Sequence, residues 1–339
     1  MKEKILIIQT AFLGDAVLTL PMIQKLKEKF PNSAVTVLCI PSTKELFTLS
    51  QSVDNLIVYD KKGEQKSLLD FIRLIFKIRR EKFSFVYSPH RSLRSTLIMF
   101  FSGAGSTTGF DISSMSFVFK QKIKYVKEKH ETARNLDMIR YDTSLDNWRV
   151  LPVVKIDEKA AERANSILNQ ITNRKLALVA PGSVWDTKIY PKDNLLEIIK
   201  YLIGKNYHVA LIGGTDDQKI CEEIESRFDG GIISFAGKLS LSESIALLRK
   251  GSLLITNDSA PTHLGMIADI KVLTIYCSTV PEFGFFPYNS KSRYVSLSGL
   301  ECKPCGIHGH KRCPIKTFEC GNNLLPEKVI SVLEELLQD

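Results

Sequence analysis

The densest group of chemically capable side chains in this chain is Thr256-Asn257-Asp258-Ser259-Ala260-Pro261-Thr262-His263-Leu264-Gly265. The apolar run before Asn257 predicts a strand. Pro261 suits the first turn of a helix, where its missing N–H costs little. Asp258 or Ser259 could cap that helix. Free first-turn N–H groups and the helix dipole make an anion site, with His263 beside it. A capped core helix would account for Asp258, Ser259 and Pro261, but not for the polar Thr262-His263 pair. A second stretch is Pro181-Gly182-Ser183-Val184-Trp185-Asp186-Thr187-Lys188. Gly182 permits close backbone approach, Ser183 and Thr187 offer hydroxyls, and Lys188 offers a point charge. Together they could hold phosphate oxygens; a solvated loop lysine is the alternative. The stretch lacks G-x-x-x-x-G-K and is no Walker A loop. The third is Gln9–Asp15, with Asp15 at the start of a helix. Asp15 is either an N-cap or a general base that takes a proton from a hydroxyl. A helix N-terminus lowers a carboxylate's pKa, so Asp15 is expected to be ionised. Without G-x-G-x-x-G, this turn disfavours a dinucleotide cofactor.

Other groups are less specific. Tyr87–Arg94 follows a predicted strand, and Arg91 and Arg94 could pair bidentately with phosphate or carboxylate. Lys120, Lys122, Lys124, Lys127 and Lys129 make a second basic run, with a solvated surface as the alternative for each. Cys302, Cys305, Cys313 and Cys320 fall within 19 residues, with His308 and His310 between. Thiolates suit tetrahedral zinc, but the spacing matches no standard finger. A structural zinc and a compact loop of reduced cysteines both stand as readings. Asp216-Asp217 follows Gly213-Gly214 and suits a nucleoside better than a cation.

The elements around these stretches repeat one rhythm. Strands are predicted at Lys4–Gln9, Ala34–Ile40, Leu56–Tyr59 and Ser84–Ser88, alternating with helices. The pattern restarts with strands at Leu176–Ala180, His208–Gly213, Leu253–Asn257 and Val272–Tyr276. This alternation implies parallel βαβ units. The expected fold is α/β, with two doubly wound domains facing a cleft and ligands beyond the carboxyl ends of the strands. Asp146–Val154 reads as a linker. The expected division is residues 1–150, 151–325, and a C-terminal helix over 326–339 that could pack back on the first domain. The helix over Leu68–Phe83 is expected to turn its apolar face to the core, with membrane contact as the alternative.

With 339 residues, 44% hydrophobic and 24% charged, the chain has the makings of a folded globular protein. Its net charge of +9 is unevenly spread. Residues 61–149 hold 18 Lys+Arg and 9 Asp+Glu, and the remainder is neutral. An anionic partner is therefore expected at the first domain. Lys2 and Lys4 precede only a four-residue apolar run, which reads as a strand and not a signal core. Seven cysteines make no disulfide scaffold, and a reducing cytoplasm is expected.

Four stretches carry a resemblance to a known family. They are Gly14-Asp15-Ala16-Val17-Leu18-Thr19-Leu20-Pro21, Pro181–Lys188 with Tyr190-Pro191, Thr256–Gly265, and Phe283-Gly284-Phe285-Phe286-Pro287-Tyr288. In this order the chain resembles the bacterial lipopolysaccharide heptosyltransferases of glycosyltransferase family 9, in their heptosyltransferase II type. The resemblance implies a GT-B fold of two Rossmann-like domains, with the acceptor in the N-terminal one and the donor in the C-terminal one. It implies inverting transfer of a heptose from ADP-heptose to the phosphorylated inner core of lipid A, at the inner membrane surface. It implies Asp15 as base and Lys188 as the group that neutralises the departing diphosphate. Ser183, Asp258, Ser259, Ala260 and His263 would contact the donor; by their chemistry Gly182 and Thr187 are expected to join them, and by their charge Arg91, Arg94, Lys120 and Lys122 are expected to meet the acceptor. The family often has glycine where this chain has Ala260. No cofactor is needed for such chemistry, and a monomer is expected. A related transferase of another nucleotide-diphosphate sugar to a cell-envelope glycan is the alternative. More remote are a Rossmann-type oxidoreductase or epimerase, which would need the absent glycine fingerprint, and a nucleic-acid-binding module; no nucleic-acid partner is expected.

Overall fold

A computed structural model describes residues 3–171 and 174–338 of the chain; Lys2 and Asp339 lie outside the described residues. It divides into two compact units, Met1–Lys155 and Ile156–Asp339. The first contains β1 (Lys4–Ile8), α1 (Leu13–Lys29), β2 (Ala34–Cys39), α2 (Lys44–Thr48), β3 (Asn55–Val58) and α3 (Leu68–Arg80). It continues with β4 (Phe85–Ser88), α4 (Leu93–Phe101), β5 (Ser106–Phe110), β6 (Gln121–Ile123) and α5 (Glu131–Asp137). All pairings are parallel, in the order β3-β2-β1-β4-β5-β6. Parallel strands covered on both faces must be apolar throughout. In β1, Ile5, Leu6, Ile7 and Ile8 are all fully buried.

The second unit repeats the plan. It contains α6 (Glu158–Asn169), β7 (Lys175–Ala180), α7 (Lys192–Gly204), β8 (Tyr207–Leu211), α8 (Gln218–Glu225), β9 (Ile232–Ser234) and α9 (Leu241–Lys250). Then come β10 (Leu253–Asn257), α10 (Ala260–Ala268), β11 (Lys271–Tyr276), β12 (Arg293–Ser296), α11 (Glu319–Asn322) and α12 (Pro326–Gln338). The order β12-β11-β10-β7-β8-β9 is again all parallel. In each sheet the first strand lies between the second and the fourth. The strand order therefore reverses between β1 and β4, and between β7 and β10. Such a switch point opens a crevice at the carboxyl ends of those two strands.

Three expectations change. The stretch Asp146–Val154 is fastened to the first unit: Gln24 donates to the Leu151 carbonyl at 3.1 Å and accepts from Val153 N at 2.8 Å. The division accordingly falls after Lys155. The C-terminal helix is part of the second unit and packs into its core. Val329, Leu333 and Leu336 of α12 are fully buried in a core shared with α7, β7, β10 and β11. Finally, only one stripe of α3 packs inward. Phe71, Leu74, Ile75 and Ile78 meet the sheet, while Leu68, Leu69, Ile72 and Phe76 are exposed.

Leu333→Ala should destabilise the second unit by about 2–5 kcal/mol, as a buried leucine in a closed core does. The expected readout is an earlier urea midpoint at unchanged slope; an unmoved midpoint would remove α12 from that core.

Candidate active site

In the first unit, Asp15 is the third residue of α1, in its first turn. Phe12 occupies the N-cap position and no side chain caps the helix there, so Asp15 is not the N-cap. Gln9 shapes the turn by donating to Thr19 Oγ1 at 2.7 Å and accepting from Ala11 N at 3.2 Å. The Asp15 carboxyl is raised to about 6, chiefly by burial and then by the nearby negative charge of Glu131. Arg91 and the backbone N–H groups of Asp15 and Phe12 oppose this and are outweighed. The expected lowering by the helix terminus is thus overturned, because desolvation of a carboxylate exceeds the dipole's pull. At neutral pH the group is still mostly ionised, and its pKa is close to what a general base needs.

Neighbouring strand ends hold this turn. His90, after β4, approaches Thr10 Oγ1 at 3.0 Å and Ser95 Oγ at 2.9 Å through Nδ1. Burial, with the charges of Lys61 and Arg91, pushes His90 down to about 4, so its imidazole is neutral. Lys61, after β3, donates to the Thr10 carbonyl at 2.7 Å. A cavity of about 290 Å³ opens here, lined by residues that include Phe12, Ile40, Pro41 and Lys61. The Arg91 guanidinium stacks 4.4 Å from the Tyr125 ring centroid, and that of Arg134 lies 4.6 Å from it. Arg134 is buried, pairs with buried Glu131 at 2.7 Å and donates to Tyr125 OH at 2.8 Å.

Of the other acceptor residues expected from the sequence, Lys120 is engaged away from Arg91. The Lys120 ammonium donates to the carbonyls of Ala104 at 3.0 Å and Gly105 at 2.8 Å. Those carbonyls precede β5, at the amino end of a parallel sheet whose carboxyl end carries Asp15. Lys122 is exposed on the edge strand β6, and Lys129 is paired with Asp137 at 2.7 Å. Arg94 is exposed at the start of α4, and its charge bears on Lys61. Sequence reasoning missed Thr10, Lys61, Tyr125, Glu131 and Arg134. Glu131 and Arg134, three apart on a short helix, look like any solvated pair until packing buries them.

In the second unit, Lys188 Nζ lies 2.6 Å from Asp258 Oδ2, which also accepts from Thr279 Oγ1 at 2.6 Å. Asp258 therefore does not cap α10. Ser259 takes the N-cap position with extended backbone, but its side chain makes no cap bond. The first turn of α10 is left without a side-chain cap, as an anion site requires. Ala260 opens the helix and is not among the residues with positive φ, so alanine is accommodated where the family often has glycine. His263 is buried, its Nδ1 has no partner among the described residues, and burial pushes it down to about 4. Asn257 ties the two turns together. It accepts from Tyr190 N at 3.0 Å and donates to the Pro181 carbonyl at 2.7 Å.

Other expected donor contacts are differently employed. Thr187 is buried; its hydroxyl donates to the His310 carbonyl at 3.0 Å and accepts from His310 N at 2.8 Å and Ser278 Oγ at 3.0 Å. It is committed to the cysteine loop and unavailable to phosphate. Gly309, at φ +75°, brings that loop against Lys188 Cγ. Half-buried Ser183 accepts from Trp185 N at 3.3 Å. Gly182 leaves room for the Asp217 carboxylate, which a β-carbon there would displace. Asp217 accepts from Gly214 N at 2.9 Å, and burial raises its pKa.

The cysteines do not assemble a zinc site: among the described residues no three His, Cys, Asp or Glu side chains converge to hold a metal. Cys320 is buried in the apolar core of the second unit. Cys305 donates to the Cys302 carbonyl at 3.2 Å, and Cys313 Sγ accepts from Phe318 N at 3.4 Å.

The sequence profile of glycosyltransferase family 9 (heptosyltransferase) matches residues 71–316. A lipooligosaccharide heptosyltransferase 2 of Campylobacter jejuni is 25% identical over 347 residues, covering 98% of this chain and 99% of that protein. A family 9 glycosyl transferase from Veillonella parvula superposes with a TM-score of 0.86 at 21% identity, over 100% of this chain and 98% of that one. The ADP-heptose lps heptosyltransferase II of E. coli gives 0.78 at 19% identity, over 100% and 99%. The fold shared with these structures is the GT-B class of two Rossmann-like domains.

A raised carboxylate has a measurable cost. The folded value of about 6 exceeds the ordinary 3.8, so the native state binds this proton more tightly than the unfolded chain. The resulting stability is complete below about pH 4 and is lost as pH rises through 6. Asp15→Asn should melt higher than the unaltered chain at neutral pH, with the gap closing near pH 4. Equal melting at neutral pH would mean that Asp15 is not destabilised by burial.

Proposed function

The chain belongs to glycosyltransferase family 9, and from that premise we propose that it moves a heptose from ADP-heptose to the phosphorylated inner core of lipid A, with inversion. The observation that carries this reading is the Lys188–Asp258 pair beside the uncapped N-terminus of α10. A lysine and a helix N-terminus without a side-chain cap, side by side, suit a diphosphate. The E. coli neighbour, named for ADP-heptose and lipopolysaccharide, supports this choice of donor and acceptor class.

In this reading the second unit takes the donor and the first takes the acceptor. Asp15 accepts the proton of the attacking hydroxyl. As the bond from sugar to diphosphate breaks, negative charge grows on the leaving group. Lys188, positioned by Asp258, and the dipole at the N-terminus of α10 stabilise that charge, the kind of contribution that dominates many enzymes. Neutral His263 offers a further polar contact, and Asp217 sits where a nucleoside hydroxyl could be met. No metal is needed for these roles, and full activity in EDTA is expected. Arg91, and Arg94 beyond it, meet acidic groups of the acceptor. The protein acts as a monomer in the cytoplasm, peripheral to the inner membrane.

The direct test offers ADP-heptose beside UDP- and GDP-sugars, with a truncated lipid A core as acceptor. Turnover of ADP-heptose alone is expected. Preference for another donor would favour a related transferase acting on a different cell-envelope glycan. Asp15→Ala should lower kcat by about 10²–10⁴ with donor affinity intact, whereas Lys188→Ala should weaken donor binding as well. The unaltered enzyme should lose kcat as pH falls through about 6, because the base becomes protonated. A flat profile across that range would remove Asp15 from the role.

A further inference from the structure

Apolar surface in this chain is as concentrated as its charge. Of 18 large apolar side chains exposed among the described residues, ten lie between residues 68 and 117. Helix α3 shows how they are organised. Phe71, Leu74, Ile75 and Ile78 form the stripe that packs on the sheet. Leu69, Ile72 and Phe76 recur at helical spacing on a second stripe, 66%, 39% and 58% exposed. Arg73, Lys77 and Arg80 form a third, also exposed; Arg73 reaches Asp70 at 3.2 Å. One apolar stripe suffices to dock a helix on its own sheet, so the second has no use within this unit.

The surface continues onto α4. Arg79 donates to the Phe101 carbonyl at 3.4 Å, which sets the exposed Phe100 and Phe101 against the end of α3. Phe117, 73% exposed, stands on a turn that packs on α4. Residues 61–101 hold 10 Lys+Arg against 3 Asp+Glu. Among the described residues no helix is long and apolar enough to cross a membrane. An amphipathic helix with a cationic flank can instead lie in the headgroup boundary.

We propose that the α3–α4 face docks on the surface of an anionic lipid bilayer, with Leu69, Ile72, Phe76, Phe100 and Phe101 entering the headgroup boundary and Arg73, Lys77 and Arg80 meeting acidic headgroups. Charge selects this occupant. A second copy related by a two-fold axis would oppose two surfaces of like charge, whereas an acidic bilayer satisfies both stripes at once. The proposal deepens the functional reading above and rests on it for why the protein meets a bilayer at all.

The test uses the full chain and sedimentation with phosphatidylcholine–phosphatidylglycerol vesicles beside pure phosphatidylcholine vesicles. The unaltered protein should bind the anionic vesicles, less so at high salt, and bind the neutral ones poorly. The triple variant Leu69→Ser, Ile72→Ser, Phe76→Ser should bind anionic vesicles about tenfold less or weaker still. Its melting temperature and its transfer to a soluble, deacylated acceptor should be unchanged. Arg73→Glu, Lys77→Glu, Arg80→Glu together should abolish the salt-sensitive part. The proposal fails if the unaltered protein ignores anionic vesicles or if the apolar variant binds as well as its parent. It also fails if that variant only changes a dimer into a monomer. Vesicle binding without any sugar transfer would sink the functional reading and leave the docking surface standing.

Discussion

Each sheet places its fourth strand beside its first, and the chemistry of the molecule hangs on that reversal. The chain leaves β1 toward one edge of the sheet and β4 toward the other, so the turns after them diverge and leave the carboxyl ends uncovered. The Asp15 turn and the His90-Arg91 turn emerge there in the first unit, and the Lys188 turn and the Asp258–His263 turn in the second. The strands between are so apolar that polar groups appear abruptly at their ends. Buried Thr10, Ser88 and Asn257 mark that change. Asn257 shows its structural use, since one side-chain amide links the ends of β7 and β10.

Burial then acts on the charges gathered at those ends. Asp15 is desolvated beside another acidic group, and Arg91 only partly offsets this, so the carboxyl rises to about 6. The second unit supplies a lysine 2.6 Å from its carboxylate. Each unit keeps a histidine at these ends, half-buried His90 and buried His263, each pushed to about 4 and therefore neutral. A neutral imidazole can donate and accept without adding charge to a site whose charges are already balanced. The paired Glu131 and Arg134 are the counterpart in the first unit: they are costly to bury but tie Tyr125, and through it Arg91, in place.

Beyond the sites, two segments have roles that their composition conceals. The cysteine loop has the look of a metal ligand set. Its structural connection is instead backbone and hydroxyl bonding, through Thr187 and His310, to the turn that carries Lys188. Helix α3 reads as an ordinary amphipathic helix. Folding buries one apolar stripe and leaves another in water, next to the arginines that give this unit its charge.

The apolar strands, their alternation with helices, the repeat of that pattern and the turn positions of Asp15, Lys188 and Asp258–His263 were all legible in the sequence. They depend on local periodicity and on residues that start and stop helices. Short, mixed strands such as Ser106–Phe110 and Gln121–Ile123 were not legible, because three to five residues carry too little pattern. Only the tertiary structure decided which polar groups were free. Thr187 looked available and is committed, Lys120 was expected at the acceptor and lies at the far end of its sheet, and Glu131, which nothing in the sequence singles out, is buried. The direction of the Asp15 shift was decided in the same way. Local sequence supplies the helix terminus that lowers a carboxylate's pKa, but desolvation and distant charges come only from what packs around it, and here they are larger.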